Sequence, residues 1–396
     1  MKRLLILVLF LVLFFTTAYF VIVKYYLHLD TGYIRTSFQK PKEDIAKFLP
    51  QGSNLSYPLT IPPGFRLAVF ADASDRGMPR VLTFDPNGVL FASLTKAGVV
   101  VALPDEDKDG IADEVKVVLS ELNRPHGLFF HGENLYVAET DKVVRYEYNP
   151  ENLFVADGEK LFDLPGRGRH FTRTIKVLDG KLYTSVGSSC DVCVEKDERL
   201  AAILVSNLDG SDLRVFARGL RNTVFFDFDS EGRIWGSDMG RDFLGDFLPP
   251  DELNIIEDGA DYGWPYCYGN NRRDGKFRIL QPLDHCVNTL PTTFDYPAHV
   301  SPLGITFIDS DLFPENDQGN ILVAFHGSWN STDPVGYKIV KLVVEGGNVT
   351  SMEGFITGWL KENGDVLGRP VDLVFGPGGV LYISDDKAGL IYILTK

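Results

Sequence analysis

Residues 224–238 read VFFDFDSEGRIWGSD: an apolar run, an acidic turn closed by Gly232, then a second apolar run with an aromatic residue near its start. The pattern returns as VLTFDPNGVLFASL (81–94), GLFFHGENLYVAET (127–140) and TIKVLDGKLYTSVG (174–187). It returns again as GITFIDSDLFPENDQGNILVAFHG (304–327) and VDLVFGPGGVLYISDD (371–386). Each copy carries a turn glycine, in order Gly88, Gly132, Gly180, Gly232, Gly319 and Gly379. Third strands follow some copies, as in KVVRYEY (142–148) and GYKIVKL (336–342). Repeats of roughly 40–60 residues built from several strands are the signature of a β-propeller. Six copies therefore predict an all-β, six-bladed β-propeller over residues 59–396. The stretch 241–300 exceeds a turn and is expected to cover the functional face.

The chain has 396 residues, 44% of them hydrophobic and 23% charged, a composition that folds. Its 54 acids against 39 bases give a net charge of −15, the wrong sign for a nucleic-acid binder. Residues 4–23, LLILVLFLVLFFTTAYFVIV, carry no charge and as a helix would span about 30 Å. Residues 1–23 are thus read as one N-terminal transmembrane helix anchoring the protein, with a cleaved signal peptide as the alternative. Lys2 and Arg3 ahead of the run favour an inside amino terminus and an extracytoplasmic, periplasmic or cell-exterior, remainder. Residues 24–58 are polar and read as a tether. Four cysteines suit export and suggest disulfides Cys190–Cys193 and Cys267–Cys286; a zinc site is the alternative. Asn54, Asn330 and Asn348 head N-x-S/T triplets.

With the first strand of each copy innermost, the residues leading into it converge at one mouth of the axial channel. They are Arg80, then Arg124 with His126, His170 with Arg173, Arg221 with Asn222, His299 and Arg369. Such a cationic ring calls for a small polyanion bearing several carboxylates, since guanidinium forks onto carboxylate. The competing reading pairs each arginine with a nearby aspartate. His170, in GRGRHFTRT, is the best-placed general base. Asp105, Asp107, Asp109 and Asp113 follow the ligand spacing of an EF-type loop, although its twelfth position is Lys116. They read as a structural calcium loop or as a solvated acidic turn.

Several stretches together resemble the sorbosone/glucose dehydrogenase family of six-bladed propellers that use pyrroloquinoline quinone (PQQ). They are RPHGLFFHGENLYVAET, HFTRT, GKLYTSVGSSCDVCVE, GLRNTVFFDF, GRDFLGDFLPPDELN, DYGWPYCYG, HGSWN and GRPVDLVF…LYISDD. Together with the anchor read at residues 1–23, the resemblance implies an enzyme that oxidises an aldose or sugar aldehyde, using PQQ and Ca2+ and passing electrons to a membrane quinone or a cytochrome. His170 matches the family's catalytic base. Arg221 and Asn222 match the pair that holds the quinone oxygens, and Arg369 matches an arginine on a cofactor carboxylate. Arg173, His326 and Trp329 are assigned to the cofactor pocket. Gly240 and Arg241 lie where relatives offer carbonyls to a calcium beside the cofactor; Glu252 and Tyr262 lie near a second calcium site. Met239 and Thr223 stand where family members often carry Asn and Pro. A non-catalytic extracellular propeller binding protein or carbohydrate, or a calcium-dependent lactonase, are the other readings.

Overall fold

The computed structural model describes residues 59–277 and 285–396. They form six four-stranded antiparallel sheets. The first blade is Pro79–Phe84, Leu90–Leu94, Val99–Leu103 and Lys116–Leu119; the second is Gly127–His131, Asn134–Ala138, Lys142–Asn149 and Phe154–Asp163. The third is Ile175–Leu178, Lys181–Val186, Ala202–Asn207 and Arg214–Arg218; the fourth is Thr223–Phe228, Ile234–Asp238, Asp251–Ile256 and Phe294–Tyr296. The fifth is Pro302–Phe307, Ile321–Phe325, Lys338–Glu345 and Asn348–Ile356. The sixth takes Pro370–Phe375, Leu381–Asp385 and Leu390–Thr395 from the carboxyl end and closes with Arg66–Asp72 from the other end of the chain. The first strands of neighbouring blades touch around the ring, so they are the innermost strands. The fold is therefore the six-bladed propeller that the repeat predicts, and each repeat is one blade's inner hairpin.

Burial explains the strand sequences. Second strands such as Leu90–Leu94, Ile321–Phe325 and Leu381–Asp385 are buried at every position, because neighbouring blades cover both faces. They therefore read as apolar runs without alternation. Outer strands such as Asn348–Ile356 are mostly exposed and carry the polar residues. All six turn glycines of the repeat have positive φ, from 59° to 85°, a region that side chains with a Cβ rarely adopt.

Two expectations change in detail. The stretch 241–300 is not wholly a cover: Asp251–Ile256 and Phe294–Tyr296 are the outer strands of the fourth blade. Of the remainder, the described residues include Cys267 and Cys286, which are joined by a disulfide, and Tyr262, Trp264, Cys267 and Asp274, which line a small void with Gly240 and Arg241. Both disulfides form with the pairing expected, and no cysteine is left over for zinc. The anchor (1–23), the tether (24–58) and Asn54 lie outside the described residues. Among the described residues no helix is long and apolar enough to cross a membrane. Asn330 is buried, with Nδ2 on Asp242 at 3.0 Å, so its triplet is closed to a glycan; Asn348 is exposed.

Candidate active site

The loops leading into the first strands open onto one mouth of the ring, where a cavity of about 340 Å³ is lined by Arg80, His170, Arg221, Asn222, His299, His326, Trp329 and Arg369. All blades but the second contribute to its lining. The loops are fixed by a device that repeats between blades. An acid at or just beyond the end of the second strand accepts hydrogen bonds from amides of the loop that leads into the first. In the fourth blade Asp238 takes Arg221 N at 2.9 Å and Asn222 N at 2.6 Å. Asp385 takes Arg369 N at 2.8 Å in the sixth, and Glu139 takes Asn123 N at 2.5 Å in the second. Asp251 joins two loops, accepting from Gly240 N and Ser301 N, both at 2.8 Å.

His170 Nδ1 lies 2.9 Å from both the carbonyl oxygen and the hydroxyl of Ser188. A carbonyl only accepts, so the network assigns the proton to Nδ1 and leaves the Nε2 lone pair open. Burial, followed by the charge of Arg221, lowers the imidazole pKa to about 3, so His170 is neutral near pH 7. Arg221 is held from behind: Nε donates to Asp191 O and Nη2 to Asp191 Oδ1, both at 2.8 Å, and Nη1 to Met239 O at 3.1 Å. Ser188 and Asp191 belong to one short loop, clipped by the Cys190–Cys193 disulfide. That loop therefore sets the candidate base and the candidate arginine together. Gly187 makes their approach possible: a Cβ there would lie 2.3 Å from Asn222 Oδ1 and 2.7 Å from His170 Cβ.

The ring is less cationic than the sequence pattern implies. Arg80 pairs with Asp386, Arg169 with Asp242 and Arg221 with Asp191. Arg369 donates from Nε to His326 O at 2.9 Å and from Nη2 to Gly327 O. The pairing orients the guanidinium groups and cancels much of their charge. Three expected members stand outside the lining. Arg124 is exposed and lies over the Phe171 ring at 5.1 Å. His126 is fully buried, with its Nδ1 3.3 Å from Arg173 O. Arg173 is also fully buried and donates to the carbonyls of His170 (3.0 Å), Thr172 (2.7 Å) and Pro165 (2.7 Å). It braces the His170 loop from beneath instead of facing the cavity.

A family model described as TrAA12-like matches residues 59–276 and 281–396. The chain belongs to the TrAA12-like family. Among relatives, it is 31% identical over 351 residues to an uncharacterized protein of Borreliella burgdorferi, covering 84% of this chain and 90% of that one. It is 25% identical over 411 residues to a pyrroloquinoline quinone-dependent pyranose dehydrogenase of Coprinopsis cinerea, covering 86% of this chain but only 55% of that protein. The holo form of the PQQ domain of that organism's pyranose dehydrogenase superposes with a TM-score of 0.74, at 23% identity, covering 88% of this chain and 99% of that domain. A calcium structure of a Trichoderma reesei family AA12 protein gives 0.74 at 22% identity, covering 86% and 98%. At these identities the structural likeness speaks for the fold.

The expected metal residues of this TrAA12-like chain fall in two places. Gly240, Arg241, Glu252 and Tyr262 line a small void beside the cavity, together with Asp238 and Asp274. The Arg241 guanidinium pairs there with Asp274 at 2.9 Å, and the Tyr262 hydroxyl donates to Ile255 O at 2.5 Å. Burial pushes Glu252 up to about 8. Asp105, Asp107 and Asp109 gather their carboxylates on the opposite face, where Asp113 instead closes the loop by accepting from Glu106 N at 2.7 Å. His326 and Trp329 line the cavity as expected, with Trp329 at its rim under Arg169, 5.4 Å from ring to guanidinium. Sequence reasoning missed Gly187, Ser188, Asp191 and Asp386. Asp386 ends LYISDD one residue past Asp385, the acid that recurs as Asp238 in GSD and Glu139 in VAET, so the repeat carries no signal for it.

Proposed function

We propose that this chain is a PQQ-dependent dehydrogenase that oxidises an aldose or related sugar aldehyde outside the cytoplasm. The observation that carries the reading is His170: a neutral imidazole with its proton fixed on Nδ1, sharing one cavity with Arg221 and Asn222. The donor set fits a flat tricarboxylate quinone. Asn222 Nδ2 has only the Met239 sulfur at 3.5 Å, a weak acceptor, and Arg80 Nε is buried without a partner. Both lack a good acceptor. When bound, PQQ supplies the two-electron acceptor. His170 Nε2 then takes the proton of the sugar hydroxyl as its carbon is oxidised. Arg221, with Asn222 beside it, offers fixed donors where negative charge grows. Arg369 and Arg80 address cofactor carboxylates, and Arg173 serves from below by holding the His170 carbonyl.

Calcium fits the carboxylates and carbonyls around Gly240, Arg241 and Glu252, which are the hard oxygen donors that it takes. The Arg241 guanidinium opposes it there. Asp105, Asp107 and Asp109 offer a second hard-oxygen set. Residues 4–23 support a membrane anchor, and the two disulfides support an extracytoplasmic propeller that passes electrons to a membrane quinone or a cytochrome. The test titrates the full-length protein with PQQ, with and without calcium, following cofactor absorbance and then dye reduction with a panel of aldoses. Stoichiometric binding that weakens in Arg221→Ala, with turnover lost in His170→Ala while binding persists, is the expected result. Folded protein that leaves micromolar PQQ unbound would refute it and return the cavity to a binding role.

A further inference from the structure

Asp386, just beyond the second strand of the sixth blade, carries a carboxylate that is almost fully inside the protein. Each of its oxygens has a separate partner. Oδ1 lies 2.8 Å from His326 Nε2, and Oδ2 meets Arg80 Nη1. Its side chain is 13% exposed, against 16% for His326 and 14% for Arg80. The three residues come from the sixth, fifth and first blades, and His326 and Arg80 line the cavity. An ionised carboxylate is a pure acceptor, so His326 must place its proton on Nε2 and keep its lone pair on Nδ1. Asp386 is ionised: burial raises its pKa, but His326 and Arg80 outweigh that and hold it far below the usual carboxylate range. His326 is neutral, lowered to about 4 by burial and then by Arg369.

Two of the three imidazoles that line the cavity, those of His170 and His326, are thus neutral and of opposite tautomer. His170 carries its proton on Nδ1 and accepts at Nε2; His326 carries its proton on Nε2 and accepts at Nδ1. We propose that Asp386 is a positioning residue that locks His326 as a second hydrogen-bond acceptor of the active cavity, distinct from the base His170, while Arg80 fixes the carboxylate. The alternative role for Asp386 is a plain tie across the seam between the sixth and first blades. The proposal rests on the dehydrogenase reading only for what occupies the cavity; the tautomer lock itself belongs to the empty-handed protein.

The first measurement is ring 15N NMR of the full-length, cofactor-free protein labelled in histidine, with the His326 signals assigned by their loss in His326→Gln. A bare Nδ1 and a protonated Nε2 are expected across pH 6–8, changing to mixed tautomers in Asp386→Asn. A protonated Nδ1 in the unsubstituted protein, or an unchanged spectrum in Asp386→Asn, overturns the proposal. The first of these needs no Asp386 variant to fold. In the loaded enzyme, Asp386→Asn and His326→Gln should each lower kcat/KM by about 10²-fold. The double variant should lose no more than either alone; additive losses would show that the two residues act independently and would also overturn the proposal. If the protein oxidises no sugar, the functional reading fails by itself and the spectrum still judges Asp386.

Discussion

Gly187 shows how much of this site depends on what a residue lacks. Its φ is not in the left-handed region, so any residue suits the backbone; the constraint is the space that Asn222 and His170 occupy. A methyl group 2.3 Å from Asn222 Oδ1 and 2.7 Å from His170 Cβ forces both side chains to move. Displacement of about 1 Å of a positioned catalytic group costs on the order of 10² in rate. Gly187→Ala should therefore lower kcat/KM by about that factor and weaken PQQ binding, with the melting temperature lowered by only a few degrees. Steady-state kinetics beside a cofactor titration decide it; a fully active variant would mean that the two side chains are not packed as described. No motif announces Gly187, because its role is defined by two residues 17 and 35 positions away in the chain. His170, Arg221, Asn222 and Arg369 were legible because the repeat places them at equivalent points. Arg173 was legible as a position but not as an orientation: whether a guanidinium faces a cavity or the carbonyls beneath depends on the packing of neighbouring blades.

At the scale of an element, the loop from Ser188 to Glu195 joins the two halves of the candidate chemistry. Ser188 holds the His170 ring, Asp191 holds the Arg221 guanidinium, and Glu195 closes the loop by accepting from Ser189 N at 2.6 Å and from its hydroxyl at 2.7 Å. The Cys190–Cys193 disulfide adds a clip across a separation of three residues, whereas Cys267–Cys286 spans 19. Chain-entropy reasoning gives the shorter bridge about 2 kcal/mol and the longer about 3 kcal/mol. Function should rank them the other way. Cys190→Ser with Cys193→Ser should cost less stability than Cys267→Ser with Cys286→Ser and yet remove more activity, because it frees the groups that orient His170 and Arg221. Denaturant melts and turnover of the two double variants supply the comparison, and equal activity losses would show that the loop holds its shape without the bridge. The pairing was readable from cysteine spacing. The loop's grip on two candidate catalytic positions was not, because it consists of two backbone carbonyls, one hydroxyl and one carboxylate meeting side chains from neighbouring loops.

On the scale of the whole molecule, the ring is closed by sharing the sixth sheet between the two ends of the described chain and by polar contacts at the seam. Asp372 Oδ2 accepts from Leu82 N at 2.8 Å across the sixth and first blades, and Ser384 Oγ donates to Arg80 O at 2.6 Å. Blade count was legible because one hairpin repeats six times. The closing strand was not, since Arg66–Asp72 carries no copy of the pattern and is identified only by its partner, Leu390–Thr395. The buried acids that join loops and blades make stability depend on pH in a direction that can be worked out. Burial raises Asp251 and Asp372 to about 7 and Glu252 to about 8. In the unfolded chain these groups are ionised above about pH 5. Between pH 6.5 and 8.5 the folded state therefore binds more protons, and stability falls as pH rises, by up to about 1.4 kcal/mol per pH unit for each group. His126, His170 and His326 are all lowered by burial and act oppositely, mainly below about pH 7, where unfolded imidazoles take up protons that the folded ones refuse, so they offset only the start of the interval. In chelator, the melting temperature should fall by several degrees from pH 6.5 to 8.5. A flat or rising curve over that interval would mean that these carboxyls are ionised in the folded ring and that cationic neighbours compensate their burial.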